Sequence, residues 1–492
     1  MNNEFAIKIH GDDNVAVGIV KILAGTDVFG VVAKEDIPVG HKIALVDIGN
    51  GADVVKYGAP IGAATAAISA GCHVHTHNLR TKLSGQLEYS YKPALAAAPE
   101  PISQNFMGYL RKDGKVGIRN EIWIINTVGC VNLPAQRIVN MARAKHAGRK
   151  IDGIHTFVHP LGCSQLGDDH AATQRILANM VHHPNAGGVL VFGLGCENNT
   201  IESFQEVLGE IDPNRVKFLV AQDFDDEIAA AMGIIDELVD FAEGFERSPQ
   251  SVSHLTIGLK CGGSDGFSGI TANPLVGVAS DMLVARGGTT ILTEVPEMFG
   301  AEEGLMARCV DEGVFDATVA LINDFKGYFM RYNQEVYENP SPGNKDGGIS
   351  TLEDKSLGCT QKGGTSNVAA VLEYGQAATV PGLNLLNGPG NDIVAITNLM
   401  AAGCHIVLFT TGRGTPVGAP VPTVKISSNT DLATRKANWT DFNSGTLLEG
   451  KTMEQVGEDF WQYLVEVASG RTTRNEELDY REIAIWKDGV TL

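Results

Sequence analysis

Cysteine is scarce in this chain, with eight in 492 residues. That is too few for a disulfide scaffold. Basic residues are outnumbered, 38 Lys and Arg against 58 Asp and Glu, and the formal charge of -20 gives an average surface that repels phosphate backbones and anionic lipid. Nucleic acid and membrane surfaces are therefore not expected as partners, and an anionic ligand would need a metal or a local Lys/Arg cluster to overcome the field. No apolar run approaches the roughly 18 residues of a membrane span. The opening MNNEFAIKIHGDDNVAV lacks the basic stretch and apolar core of a leader, so a cytoplasmic protein is expected. The P-loop and dinucleotide fingerprints are missing, as are fixed-period repeats and low-complexity tracts.

With 43% hydrophobic and 20% charged residues, the chain can bury a large core, and its length calls for two or three domains. Residues 1–92 carry short β-branched runs, FAIKIH, NVAVGIVKI, DVFGVVA and KIALVDI, that predict a small β-rich domain. A polar, Pro/Ala-rich stretch reads as a linker over 93–104. Over 105–245, the strand patterns EIWIINTVG, GIHTFVHPLG and GGVLVFGLG are each followed by a helical pattern. Such a series implies a parallel sheet with helical crossovers. After the polar segment FAEGFERSPQSVSHL the alternation resumes over 255–492, in LTIGLKCGGSDG, TTILTEVPEMFG, GLNLLNG and HIVLFTTGRGTP. The predicted fold is α/β, a small β-rich N-terminal domain followed by two α/β domains with largely parallel sheets.

Six cysteines directly follow a glycine, and Cys261 precedes one. Glycine lets the backbone turn and present a thiol at a strand end, as thiolate metal sites need, although buried reduced cysteines also fill small gaps. Cys130, Cys163 and Cys196 close the three strand patterns of the middle region, the end of a parallel sheet where ligands sit. The stretch GCHVHTHN places His73, His75 and His77 at alternate positions, with Asn78 beside them. On a regular strand, residues two apart share a face about 6.6 Å apart and the outer pair stands about 13 Å apart. At most two of the three could then share an ion, and a solvated polar strand face is the alternative.

Three loops carry polar groups suited to an anion. In KCGGSDGFSGITANP, Gly262, Gly263, Ser264 and Asp265 form a glycine- and hydroxyl-rich turn whose amides can face a ligand. ENPSPGNKDGG sets Asn344 and Lys345 in a constrained turn, and TTGRGTP holds Arg413 between glycines. An arginine so flanked is unobstructed for a carboxylate or phosphate.

Taken together, GHKIALVDI, GCHVHTHN, GCSQLGDDH, VFGLGCENN, CGGSDGFSGITANP, TEVPEMFGAE, ENPSPGNK and TTGRGTP resemble the altronate/galactarate dehydratase family of sugar-acid dehydratases, over essentially the whole chain. The histidine-rich motif favours the altronate branch. The resemblance implies an N-terminal SAF-type domain, a requirement for Fe(II) with Mn(II) as substitute, and loss of water from D-altronate to give 2-dehydro-3-deoxy-D-gluconate in hexuronate breakdown. Galactarate dehydration, a related sulfo-lyase activity and a non-catalytic sugar-acid sensor are the alternatives. A small sugar acid is the expected partner, and a homo-oligomer is left open.

Such a dehydration removes the proton beside the carboxylate and expels the neighbouring hydroxyl. A divalent metal can stabilise the enediolate and the leaving group together, and a base must reach the C2 proton. Lys345 and His170 are the candidate bases; Arg413, Asn344 and the loop at Gly262 to Asp265 are assigned to the substrate. Two metal arrangements compete. One is a single Fe(II) on His75 and His77, completed by His73 or a carboxylate. The other is an iron–sulfur cluster on Cys163, Cys196 and Cys261, with Cys130 as a further thiol.

Overall fold

The computed structural model describes residues 3–97 and 99–492. Residues 1 and 2 of the expected β-rich domain and residue 98 of the expected linker lie outside them. The N-terminal region is antiparallel β throughout. One sheet runs in the order Ala6–Ile7, Val15–Gly18, Lys42–Ala44, His73–Val74, and a second joins Asp53–Lys56, Ala59–Ala64 and Leu79–Arg80. Their β-branched residues meet in two small cores, around Val15, Val54 and Ile61 and around Ile22, Val28 and Ile43.

The middle region has a parallel sheet in the order Gly153–Thr156, Glu121–Asn126, Ala186–Gly193, Val216–Val220. All eight residues of Ala186–Gly193 are buried, as expected of a strand covered on both faces. Ile122, Ile124, Leu190 and Phe192 pack against helices Asn132–Lys145 and Glu227–Ala242. The alternate residues Trp123, Ile125, Val189 and Val191 pack against Gly167–Val181 and Ile201–Leu208. That second core continues through Ile396, Leu399, Val407 and Phe409 of the C-terminal region, so the two α/β units share one hydrophobic interior. The polar segment between the two α/β regions contains a strand: Arg247–Ser251 pairs antiparallel with Asn105–Leu110. Its Pro249 is tolerated because the strand lies at the edge of its small sheet.

The C-terminal region holds seven parallel strands in the order Val368–Leu372, Gly382–Leu386, Thr289–Leu292, Thr256–Cys261, Ile406–Thr411, Thr423–Ser427, Phe442–Asn443. The chain leaves Thr256–Cys261 toward Thr289–Leu292 on one side and leaves Ile406–Thr411 toward Thr423–Ser427 on the other. Between these two strands lies a topological switch point, where open α/β sheets keep their ligands beyond the carboxyl ends. The glycine-rich loop after Cys261 and the Arg413 loop meet there. Among the described residues, no helix is long and apolar enough to cross a membrane.

Candidate active site

His41 immediately precedes Lys42–Ala44, whose Ile43 is paired with His73 in the next strand. The strand carrying His73 ends at Val74. A turn follows, in which His75 N donates to Asn78 Oδ1 (3.0 Å), Asn78 N donates to His75 O (3.0 Å) and Asn78 Nδ2 donates to His73 O (2.8 Å). The regular-strand spacing expected for the three alternate histidines therefore does not apply. His41, His73 and His75 each bring one ring nitrogen within 4.8 Å of the others, with His41 Nδ1 and His73 Nε2 3.0 Å apart. His77 is exposed and only packs its ring on His73, centroids 5.2 Å apart. The third member of the set is thus His41, which sequence reasoning missed although it lies in the motif GHKIALVDI.

Burial, with the Lys42 ammonium and the crowding of neighbouring imidazoles against a further positive charge, pushes His73 down to about 4 and His75 to about 3. Burial also lowers His41. At neutral pH the trio is therefore uncharged, and a neutral imidazole offers a lone pair to a metal. The far nitrogens are engaged elsewhere: His41 Nε2 lies 3.2 Å from Asp346 O and His75 Nδ1 2.9 Å from Ser350 Oγ. Outer partners of this kind orient metal-bound histidines, so the donor set and its surroundings fit a divalent ion.

Asp346 and Ser350 belong to the C-terminal region, which is locked onto the small domain by a buried triad. Lys42 Nζ donates to Asp354 Oδ2 (2.8 Å) and Gly348 O (2.7 Å), and Lys56 Nζ donates to Asp354 Oδ1 (2.9 Å). Burial opposes ionisation of Asp354, but the two ammonium groups outweigh it and hold the carboxyl well below its usual range. Burial pushes Lys42 down to about 8.

The helix Leu352–Cys359 that presents Asp354 turns its other side to a second polar cluster, at the end of strand Thr256–Cys261. Cys261 Sγ lies 2.8 Å from Glu297 Oε2 and 3.4 Å from Cys359 Sγ, and Lys355 Nζ pairs with Glu297 Oε1 at 2.7 Å. Lys260 and Lys362 pair with Glu294. Glu294 holds a left-handed backbone (φ 69°), a strained state for a non-glycine residue that is common at functional sites. Lys355 also donates to Asn339 Oδ1 at 3.0 Å, which joins this cluster to the 338–348 turn touching His41. The sequence patterns did not join Glu297 to Lys355 and Cys359, because Glu297 stands on the turn Val295–Glu297 and the other two stand some 60 positions later on the helix Leu352–Cys359.

The other expected residues sort by what they touch. Asp265 accepts hydrogen bonds from Ser268, Ser428, Asn429 and the Phe267 amide, so its carboxylate ties loops together. Gly412 passes so close that a Cβ there would stand 2.1 Å from Asp265 Cγ. Asn344 Nδ2 donates to Ser264 O, while the buried Ser264 hydroxyl has no partner. Arg413 is exposed and lines a cleft of about 900 Å3 together with Gly40, Gly347 and Asn429. Gly262 and Gly263 back the Arg413 loop, with the Gly262 amide donating to Thr410 O at 3.0 Å and the Gly263 carbonyl accepting from the Arg413 amide at 2.9 Å. Lys345 is half-buried on the short helix Pro342–Asp346. His170 stands apart on Gly167–Val181 of the middle sheet, its Nε2 buried and unpartnered. The thiols expected to act together are divided: Cys261 is buried with Glu297 and Cys359, whereas Cys163 and Cys196 are exposed on loops of the middle sheet.

Residues 4–82 match the family described as Altronate/galactarate dehydratase SAF domain, 108–243 match D-galactarate dehydratase/Altronate hydrolase, second domain, and 252–491 match D-galactarate/Altronate dehydratase, C-terminal. Among curated proteins, the chain is 54% identical to an altronate dehydratase of Escherichia coli (strain K12) and 52% identical to one of Bacillus subtilis (strain 168), in each case over 99% of both chains. It is 34% identical to a galactarate dehydratase (L-threo-forming) of Escherichia coli (strain K12), over 95% of this chain and 93% of that one. By sequence across its full length and by its β-rich, α/β, α/β organisation, the chain belongs to the altronate/galactarate dehydratase family of hydro-lyases.

Proposed function

We propose that the protein dehydrates D-altronate to 2-dehydro-3-deoxy-D-gluconate, as a cytoplasmic step of hexuronate breakdown. The observation that carries this reading is full-length identity of 54% and 52% to altronate dehydratases, against 34% to a galactarate dehydratase. The charge of -20 supports a small-molecule partner over nucleic acid or a membrane surface.

His41, His73 and His75 are the proposed ligands of an Fe(II) ion, with Mn(II) as substitute, since imidazole donors suit first-row metals. When bound, such an ion supplies Lewis-acid stabilisation of an enediolate and of a departing hydroxyl. Arg413 is the proposed partner of the substrate carboxylate, supported by its exposed guanidinium at the lining of the cleft. Lys345 is the proposed base for the C2 proton, because its helix ends at Asp346, whose carbonyl meets His41. His170, on the other sheet, has no bond to this array among the described residues. The enol formed on loss of the C3 hydroxyl then tautomerises to the 2-keto acid.

The test is turnover by anaerobically purified protein, stripped with a chelator and reloaded with Fe(II) or Mn(II). D-Altronate should yield a 2-keto acid with a higher kcat/KM than galactarate. A preference for galactarate would overturn the substrate, and turnover indifferent to the chelator would overturn the metal.

A further inference from the structure

The middle sheet has its own switch point, which the proposed reaction does not use. The chain leaves Glu121–Asn126 toward Gly153–Thr156 on one side, and leaves Ala186–Gly193 toward Val216–Val220 on the other. The helices that follow these two strands lie on opposite faces: Asn132–Lys145 packs with Ile122 and Ile124, and Ile201–Leu208 packs in the core of Trp123 and Ile125. A crevice therefore opens at the carboxyl ends of these neighbouring strands, the position where such sheets hold a ligand.

Cys130, Cys163 and Cys196 stand on the loops after three adjacent strands at that edge, and all three are exposed, whereas Cys261, Cys309, Cys359 and Cys404 are buried. Cysteine is among the residues most often buried, so three exposed thiols along one sheet edge need a reason. Neighbouring strands are about 4.8 Å apart, so three strand ends span roughly 10 Å. The loops are also fastened to one another. Gly129 N donates to Leu161 O (2.9 Å), Asn199 N to Gly162 O (3.0 Å), Asn199 Nδ2 to Thr127 O (3.1 Å) and Ser164 N to Asn198 Oδ1 (2.7 Å). Gly162, at φ 98°, brings the Cys163 loop so near the Cys130 loop that a Cβ would lie 1.9 Å from Thr127 O. The glycine before the cysteine is thus what lets the two loops meet.

We propose that Cys130, Cys163 and Cys196 hold an iron–sulfur cluster, a centre separate from the histidine trio. Two thiolates on a single ion stand at most about 4.6 Å apart, twice a metal–sulfur bond of about 2.3 Å. Among the described residues these three sulfurs are not gathered within 4.8 Å of one another, so the proposed group is a multi-iron one and not a single ion. Gln222 Nε2 lies 3.7 Å from Cys196 Sγ and supplies the kind of N–H to sulfur contact that tunes cluster potentials. If the cluster held four irons, three protein thiolates would leave one iron without a cysteine ligand.

The test is reconstitution of the full chain with Fe(II) and sulfide under anaerobic conditions, followed by measurement of iron, acid-labile sulfide, visible absorption and the electron paramagnetic resonance of the reduced protein. The wild type should carry acid-labile sulfide and a cluster signal. Cys130→Ala, Cys163→Ala and Cys196→Ala should each lose them, while Cys261→Ala keeps them. Because the three positions are exposed, unchanged circular dichroism should accompany the loss. In the reconstituted wild type, alkylation followed by peptide mass analysis should find these three thiols protected. Absence of sulfide after reconstitution, metal bound without sulfide, or alkylation of all three thiols in the loaded protein would overturn the proposal. Altronate turnover is read separately, so failure here leaves the assignment of the histidine site standing.

Discussion

Replacing Asp354 by Asn should loosen the small domain from the large one. Asp354 is fully buried between Lys42 at 2.8 Å and Lys56 at 2.9 Å, and its Oδ2 also accepts from Ser350 N at 3.0 Å. An amide of nearly the same shape preserves packing and the Thr351 cap on the residue-354 amide, but it removes the only anion facing two buried ammonium groups in this triad. Breaking a buried ion pair in this way costs about 3–5 kcal/mol. Lys42, already lowered to about 8 by burial, can shed its proton and soften the cost toward the lower figure. The loss should appear as earlier urea unfolding of the N-terminal region and faster hydrogen exchange over residues 40–82. Turnover should fall with it, because the His41 and His75 contacts to Asp346 and Ser350 cross the same interface. Converting the triad to apolar residues of similar volume, Lys42→Met, Lys56→Met and Asp354→Leu, should recover much of the stability, since desolvation offsets most of the gain from such ions. A single Asp354→Asn variant that unfolds within about 1 kcal/mol of the wild type, with unchanged exchange, would refute the reasoning, because an uncompensated buried charge cannot be that cheap.

His41→Ala and His75→Ala should each reduce turnover by about 100-fold or more with the fold retained, whereas the exposed His77→Ala should stay within a few-fold; steady-state kinetics on D-altronate read the contrast. Lowering the pH from 6.5 toward 4 should destabilise the protein, because the unfolded chain takes up protons that folded His73 (about 4) and His75 (about 3) refuse. Denaturant titrations at pH 7 and pH 5 measure this, and equal stability at both would count against neutral imidazoles. Gly412→Ala should cost about 1–3 kcal/mol by overpacking, since its Cβ would collide with Asp265; a thermal melt with no downward shift would show that the loop can yield.

Much of the architecture was legible because its signals are local. EIWIINTVG and GGVLVFGLG read as buried strands from continuous apolar content, and Glu121–Asn126 and Ala186–Gly193 are such strands. Pro249 hid the strand Arg247–Ser251 from sequence reading, since a residue that breaks a central strand is harmless on an edge. In the candidate site, the loops bearing Gly262 and Arg413 were recognisable by composition, and the fold brings them together at one switch point. Asp265 lines the same cleft as Arg413, and the sequence shows its carboxylate but not the Ser428 and Asn429 that hydrogen-bond to it.

What the sequence by itself determined was the order of strands and helices, the net charge of -20, and which short stretches carry histidine, thiol and glycine. These follow from patterns that repeat within a few residues. Only the tertiary structure decided the membership of each cluster. It brought in His41 from 32 positions before His73 and left His77 outside when the strand ended at Val74. It also separated Cys261 from Cys163 and Cys196 and set it against Glu297 and Cys359. The physical reason is that a ligand set is defined by a few ångströms in space. Those distances are set by sheet register, by the buried Lys42–Asp354–Lys56 lock and by close glycine approaches, none of which can be read from neighbouring letters of the chain.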